Sequence, residues 1–189
     1  MEIKEILYAE IDKMGKNHIR TLLSDDISNS KTVISLLLNN CTNLLNKNNP
    51  LEDEFILFAE ALLHFVLTMS MIPAERKINV EDVAIDVLVP NSKNLKADND
   101  KAIIIHFFKD KDEDIDESIA KLSKIQKNTN NIWIVTSKKI KNLNLNTFIV
   151  SPCYSNNDFN IHFNYPFSVI LVKIDEFLKS INYSGLKIF

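Results

Sequence analysis

The sequence predicts an α/β protein: a central mixed sheet with a parallel βαβ core, flanked by helices and preceded by a helical extension. Three observations carry this. Residues 102–108, Ala-Ile-Ile-Ile-His-Phe-Phe, form a near-continuous apolar run of the kind found in a strand covered on both faces. A second apolar strand, with Trp133, follows at 131–136. Between them lies a segment with Ile115, Ile119, Leu122 and Ile125 on one side, so a right-handed parallel strand–helix–strand unit is the expected connection. A chain of 189 residues is long enough for one good-sized core plus an extension, and hardly for two full domains. The division read from the sequence is a helical extension over residues 1–48 and an α/β domain over 51–189.

The elements follow in order. Ile3, Ile6, Leu7, Ile11 and Met14 share one helical face, continued after Gly15 by Ile19, Leu22 and Leu23. Ser30 is placed to cap a further helix carrying Val33, Leu36, Leu37, Cys41, Leu44 and Leu45, which residues 47–50 (Lys-Asn-Asn-Pro) stop. These helices are read as an appendage, a dimerisation surface or a cover over the sheet edge. Residues 52–70 form a strong helix with Phe55, Phe58, Leu62, Val66 and Met69 as its core stripe. Residues 77–80 and 83–89 read as strands joined in a hairpin at Glu81-Asp82, and 90–101 as a polar, turn-rich connection. Asp114 with Glu117 offers a capping box for the helix between the two central strands. The remainder predicts a strand at 147–150, a loop around Cys153 and Tyr154, a short strand near 169–172 and a closing helix at 175–181.

Composition narrows the function classes. No apolar run approaches the ~20 residues that cross a bilayer, and the amphipathic start is not a leader, so a cytoplasmic protein without membrane attachment is expected. Only two glycines, Gly15 and Gly185, occur, which disfavours glycine-rich phosphate loops and dinucleotide folds. Cys41 and Cys153 have neither the spacing of a zinc cage nor that of a disulfide framework. At net charge -3, attraction to a polyanion has to be local.

A helix bearing an acid, a strand bearing Asp, a turn, a strand ending in Lys, a helix and a strand follow one another here. The residues are Glu60 in AEALLHF, Asp86 in VAIDVLVP, Lys109 in IIIHFFKD and Gln126 in KLSKIQKN. This order over residues 52–136 resembles the restriction-endonuclease-like, or PD-(D/E)XK, nuclease superfamily. The resemblance implies that Asp86 and a following acid hold Mg²⁺ or Mn²⁺, while Lys109 orients or deprotonates the attacking water. A hard divalent ion takes oxygen ligands and polarises both water and phosphate. Phe107 stands where the second acid belongs, two residues before Lys109, and cannot ligate a metal. Either Glu60 substitutes, sharing the ion with Asp86, or metal chemistry is lost. Gln126 completes the catalytic set that the resemblance implies.

Each residue also has a plainer reading. Glu60 can pair with His64 one turn on, Lys109 can mark where its strand emerges into solvent, and Gln126 can be a helix-surface amide. His106, opposite in parity to Phe107, reads as a core histidine with a satisfied ring. The acidic run 110–117 lacks the glycine and spacing of a calcium loop. Lys121, Lys124 and Lys127 on one helix face, with Lys138, Lys139 and Lys141 after the next strand, make a candidate phosphate-tracking patch. The expectation is therefore a nuclease-fold protein that binds or processes DNA or RNA through a degenerate metal site. The rival readings are an inert scaffold subunit, pairing with itself or with a protein partner through its N-terminal helices, and an unrelated α/β domain.

Overall fold

A computed structural model describes residues 3–45, 52–109, 114–150 and 163–183. The stop at 47–50, residues 110–113 of the acidic run and the loop around Cys153 and Tyr154 lie outside the described residues.

Helices α1 (Ile3–Met14), α2 (Lys16–Asp25) and α3 (Ser30–Leu45) lead into α4 (Glu52–Met69). Gly15 separates α1 from α2 at φ 85°, a left-handed conformation that glycine adopts without a side-chain clash. Ser30 does not cap α3. A 3-10 turn precedes the helix, Asp26 caps that turn by accepting from Ser28 N–H, and the Ser30 hydroxyl is buried without a partner among the described residues.

Strands β1 (Glu75–Val80), β2 (Val83–Val89), β3 (Ile103–Phe107), β4 (Ile132–Thr136), β5 (Asn146–Ile149) and β6 (Asn164–Pro166) lie side by side in chain order. The pairs β1–β2 and β2–β3 are antiparallel, and those from β3 to β6 are parallel. Helix α6 (Ile115–Ile125) connects β3 to its parallel neighbour β4, as the apolar pattern predicts. Asp114 caps α6 by accepting from the N–H groups of Asp116 and Glu117, but the reciprocal half of the box is not made, since Glu117 pairs with Lys121 at 2.6 Å.

Both faces of the sheet are covered. Ile103, Ile105 and Phe107 of β3 enter one apolar cluster with α4 and the closing helix α7 (Ile170–Ser180), while Ile104 enters a second with Leu122 and Ile125 of α6. Each of these side chains contributes about 1.5–3 kcal/mol by leaving water. Ile6, Ile11, Ile19, Val33 and Leu37 of the N-terminal helices belong to the first cluster. The extension and the α/β part thus share one core.

Two further readings of the sequence are corrected. Residues 169–172 are not a strand, because Ile170, Leu171, Ile174 and Leu178 are buried at helical spacing and α7 runs through them; the last strand is β6, just before. The polar connection after β2 contains a short helix, α5 (Ser92–Ala97), started by Asn91, whose side chain accepts from Asn94 N–H.

The β1–β2 hairpin turns on Glu81 and Asp82, both at positive φ (48° and 62°), as a two-residue turn of matching twist requires. Glutamate is disfavoured there, and aspartate, though tolerated, is less suited than glycine to the second position. Replacing the pair with Asn-Gly is expected to raise stability by about 1 kcal/mol, read as a higher urea midpoint at unchanged slope.

Candidate functional site

A cluster of polar side chains lies where β2 and β3 part. Their ladder ends with Val87 opposite Ile105, and beyond it the Asp86 carboxylate takes over the role of a backbone partner. Asp86 Oδ2 accepts from the Phe107 N–H at 3.0 Å and from His106 Nδ1 at 2.9 Å. Its other oxygen, Oδ1, accepts from Lys77 Nζ at 2.8 Å. The same ammonium lies 2.7 Å from Oε1 of Glu60 on α4. One lysine thus bridges the two acids that the sequence singles out.

Local backbone geometry explains how. Lys77 has φ 47°, a left-handed value in the middle of β1. Around it the two-residue alternation breaks, so that Ile78 and Ile85 face the cluster under α6 while Val87 faces the cluster under α4. Asp86 sits at that switch, with donors around it on both strands.

The electrostatics follow from these contacts. Burial alone would raise the Asp86 pKa, but the hydrogen bonds from His106, Lys77 and the Phe107 N–H outweigh it and hold the carboxyl well below the usual range. Asp86 is therefore ionised. Since an ionised carboxylate only accepts, His106 Nδ1 carries the proton of that bond. For Lys77, partial burial works against the charge, and the bonds to Asp86 and Glu60 more than compensate, raising its pKa. Partial burial and nearby Arg76 lower the pKa of His64, against a weaker opposing pull from Glu60.

A cleft of about 620 Å³ opens beside this centre. It is lined by Asp86 and His106, by the Glu81-Asp82 turn, and by Asp114 with Glu117, Lys121 and Lys124 of α6.

The remaining residues expected at the site are placed as follows. Lys109 is half-buried just past the carboxyl end of β3, and it does not line the cleft. Phe107 is buried next to Asp86, its ring in the apolar cluster and its N–H on the carboxylate, so position 107 offers a donor where a second acid is expected. Gln126 is not brought to the centre. It is fully buried at the other end of β3, donating to Asn99 O and Ala102 O and accepting from Asn128 N–H. The lysines are spread out. Lys121 pairs with Glu117 and Lys127 with carbonyls at the C-terminus of α6, whereas Lys138, Lys139 and Lys141 are exposed beyond the far end of β4. Five residues of strand, roughly 15 Å, separate the two ends.

Lys77 and His106 are the site residues that sequence reasoning missed. A histidine inside an apolar run needs a polar partner, and Asp86 on a neighbouring strand was the available one. Nothing in the sequence signals the positive φ of Lys77.

The residues as arranged do not fit a divalent ion. Mg²⁺ needs near-octahedral oxygen ligands at about 2.1 Å, and here an ammonium holds the point between Glu60 and Asp86. Among the described residues no group of three His, Cys, Asp or Glu is placed to hold a metal. Nor does Cys41 offer a nucleophile, because burial pushes its thiol up to about 12. No helix among the described residues is long and apolar enough to cross a membrane. Comparisons with family models, with curated proteins and with solved structures found no match.

Proposed function

We propose that this chain is a nuclease-fold protein that binds nucleic acid without hydrolysing it, its metal site degenerate. The observation that carries the reading is the convergence of Glu60 and Asp86, from α4 and β2, on a single cation that is a lysine. The resemblance to the restriction-endonuclease-like superfamily rests on the order helix, Asp-bearing strand, turn, strand, helix, strand, to which α4, β2, β3, α6 and β4 correspond, with β1 before β2 and the short helix α5 in the connection to β3 as additions. Phosphate contacts need positive charge along a surface, whereas hydrolysis needs metal geometry, so binding can persist where the second acid is a phenylalanine. The carboxylates around the cleft oppose a polyanion, which keeps the expected affinity low.

The test is fluorescence anisotropy with single- and double-stranded DNA and RNA. Binding is expected in the micromolar range at low salt and to weaken steeply as salt rises. Changing Lys121, Lys124, Lys138 and Lys139 together to Glu is expected to abolish it without unfolding the protein, because all four side chains are exposed. No Mg²⁺- or Mn²⁺-dependent cleavage is expected, and turnover that disappears in Asp86→Ala would refute the non-hydrolytic half of the reading. Absence of any binding at low ionic strength would favour the scaffold reading, for which the exposed Tyr8 of α1 and Leu36 of α3 mark the helical surface to examine.

A further inference from the structure

We propose that the cleft takes an extended, lysine-bearing segment of a partner protein, which adds to the open edge of β2 at Ala84 as a further strand. This goes beyond nucleic-acid binding and does not rest on it. The open edge follows from the hairpin. Val80 and Val83 flank the two-residue turn and form the hydrogen-bonded pair nearest to it, so the next pair, Asn79 and Ala84, is a non-hydrogen-bonded one. The N–H and C=O of Ala84 therefore point away from β1, towards the side on which β3 lies. The β2–β3 ladder stops at Val87, and no strand among the described residues continues it beside Ala84.

The end of β3 is committed elsewhere and does not close this edge. Asp86 Oδ2 accepts from the Phe107 N–H, and the Phe108 N–H donates to Val135 O of β4 at 2.9 Å. Ala84 is exposed and lines the cleft. An unpaired strand edge of this kind is a template for another chain, whose main chain supplies the missing partners. Residues 83–86 span roughly 13 Å at the rise of a strand, enough to pair with about four residues of extended peptide.

The side chains around the edge select the sign of the occupant. Glu81, Asp82, Asp114 and Glu117 are exposed at the cleft, and the ammonium groups facing them are those of Lys121 and Lys124. Lys121 is already paired with Glu117 at 2.6 Å. The excess of carboxylate complements a cationic segment and repels a polyanion. Successive side chains of an extended peptide point to opposite faces, so alternate lysines bring their charges to one side of it.

The probe is a fluorescein-labelled hexapeptide of alternating lysine and valine, titrated into the full chain and followed by anisotropy, with hydrogen exchange of the Ala84 amide read by NMR. One peptide per chain is expected to bind saturably and to protect the Ala84 amide. The same peptide N-methylated at every residue, which has lost its backbone donors, is expected to bind at least about tenfold more weakly, and so is a glutamate–valine counterpart. Ala84→Pro removes the outward N–H without taking a bond from β1, and is expected to abolish binding. Glu81→Gln with Asp82→Asn is expected to weaken it; asparagine tolerates the left-handed backbone at position 82, so the turn is retained. The proposal is overturned if the lysine peptide does not bind, if N-methylation leaves its affinity unchanged, or if the bound peptide leaves Ala84 exchange unaltered. Protection of Ala84 by an oligonucleotide in place of the peptide would assign the cleft to nucleic acid and overturn it as well. Failure of nucleic-acid binding leaves the peptide outcomes unchanged, so the two readings fail separately.

Discussion

Asp86→Ala is expected to cost about 3 kcal/mol of folding stability, measured as a shift in urea midpoint. The carboxylate is 20% exposed and serves donors from His106, the Phe107 backbone and Lys77. Its removal leaves the Phe107 N–H and His106 Nδ1 without their acceptor, and buried donors left unpaired cost about 1–3 kcal/mol each. The Lys77 contact adds little to this, because its ammonium arm is more than half exposed and screened by water. Acid titration tests the same group. Its folded-state pKa is depressed below the unfolded value, so its stabilisation is complete above roughly pH 4 and is lost as pH falls from there towards the lower folded value. The wild-type protein should therefore lose stability more steeply than Asp86→Asn below pH 4. Parallel curves would show that Asp86 is not the anchor described.

The sequence made the sheet legible because its strongest signals are apolar periods. The run at 102–108 reads as a strand covered on both faces, and Ile103, Ile104 and Ile105 are indeed all fully buried. The crossover to 131–136 fixes β3 and β4 as parallel neighbours. The misreading at 169–172 arose where four consecutive apolar residues suit either a strand or a buried helix, and only the later Ile174 and Leu178 decide between them.

At the site, the acids were legible and their partners were not. Glu60 and Asp86 stand out as carboxylates in apolar surroundings. Lys77 looks like any lysine on a strand edge, since a backbone dihedral of 47° leaves no trace in composition. His106 reads as a core histidine with a satisfied ring, and its Nδ1 does bond to Asp86, but parity sets it apart from the site. Alternation assumes an unbroken pleat, and β2 switches faces at Asp86. Gln126 shows the opposite error, in which an amide at the right order in the chain stands at the wrong end of a strand.

The replacement Gln126→Leu is expected to destabilise the protein by about 3 kcal/mol while leaving the Asp86 centre unchanged. The side chain is fully buried, and its amide ties the end of α6 to the segment entering β3. Asn99 O would keep a donor, because Asn131 Nδ2 also reaches it at 3.1 Å. Ala102 O and the Asn128 N–H would lose the side-chain partners they have in Gln126, and two orphaned backbone groups account for the magnitude. Leucine has a similar volume, so little of the loss would come from a cavity. Lys124→Ala, on the exposed face of the same helix, is expected to change stability by no more than about 0.5 kcal/mol. If Gln126→Leu proved as neutral as Lys124→Ala, the amide would not be a strut between α6 and β3. If it instead shifted the acid-titration difference between wild type and Asp86→Asn, the two ends of β3 would be coupled, and the separation of Gln126 from the site would have to be given up.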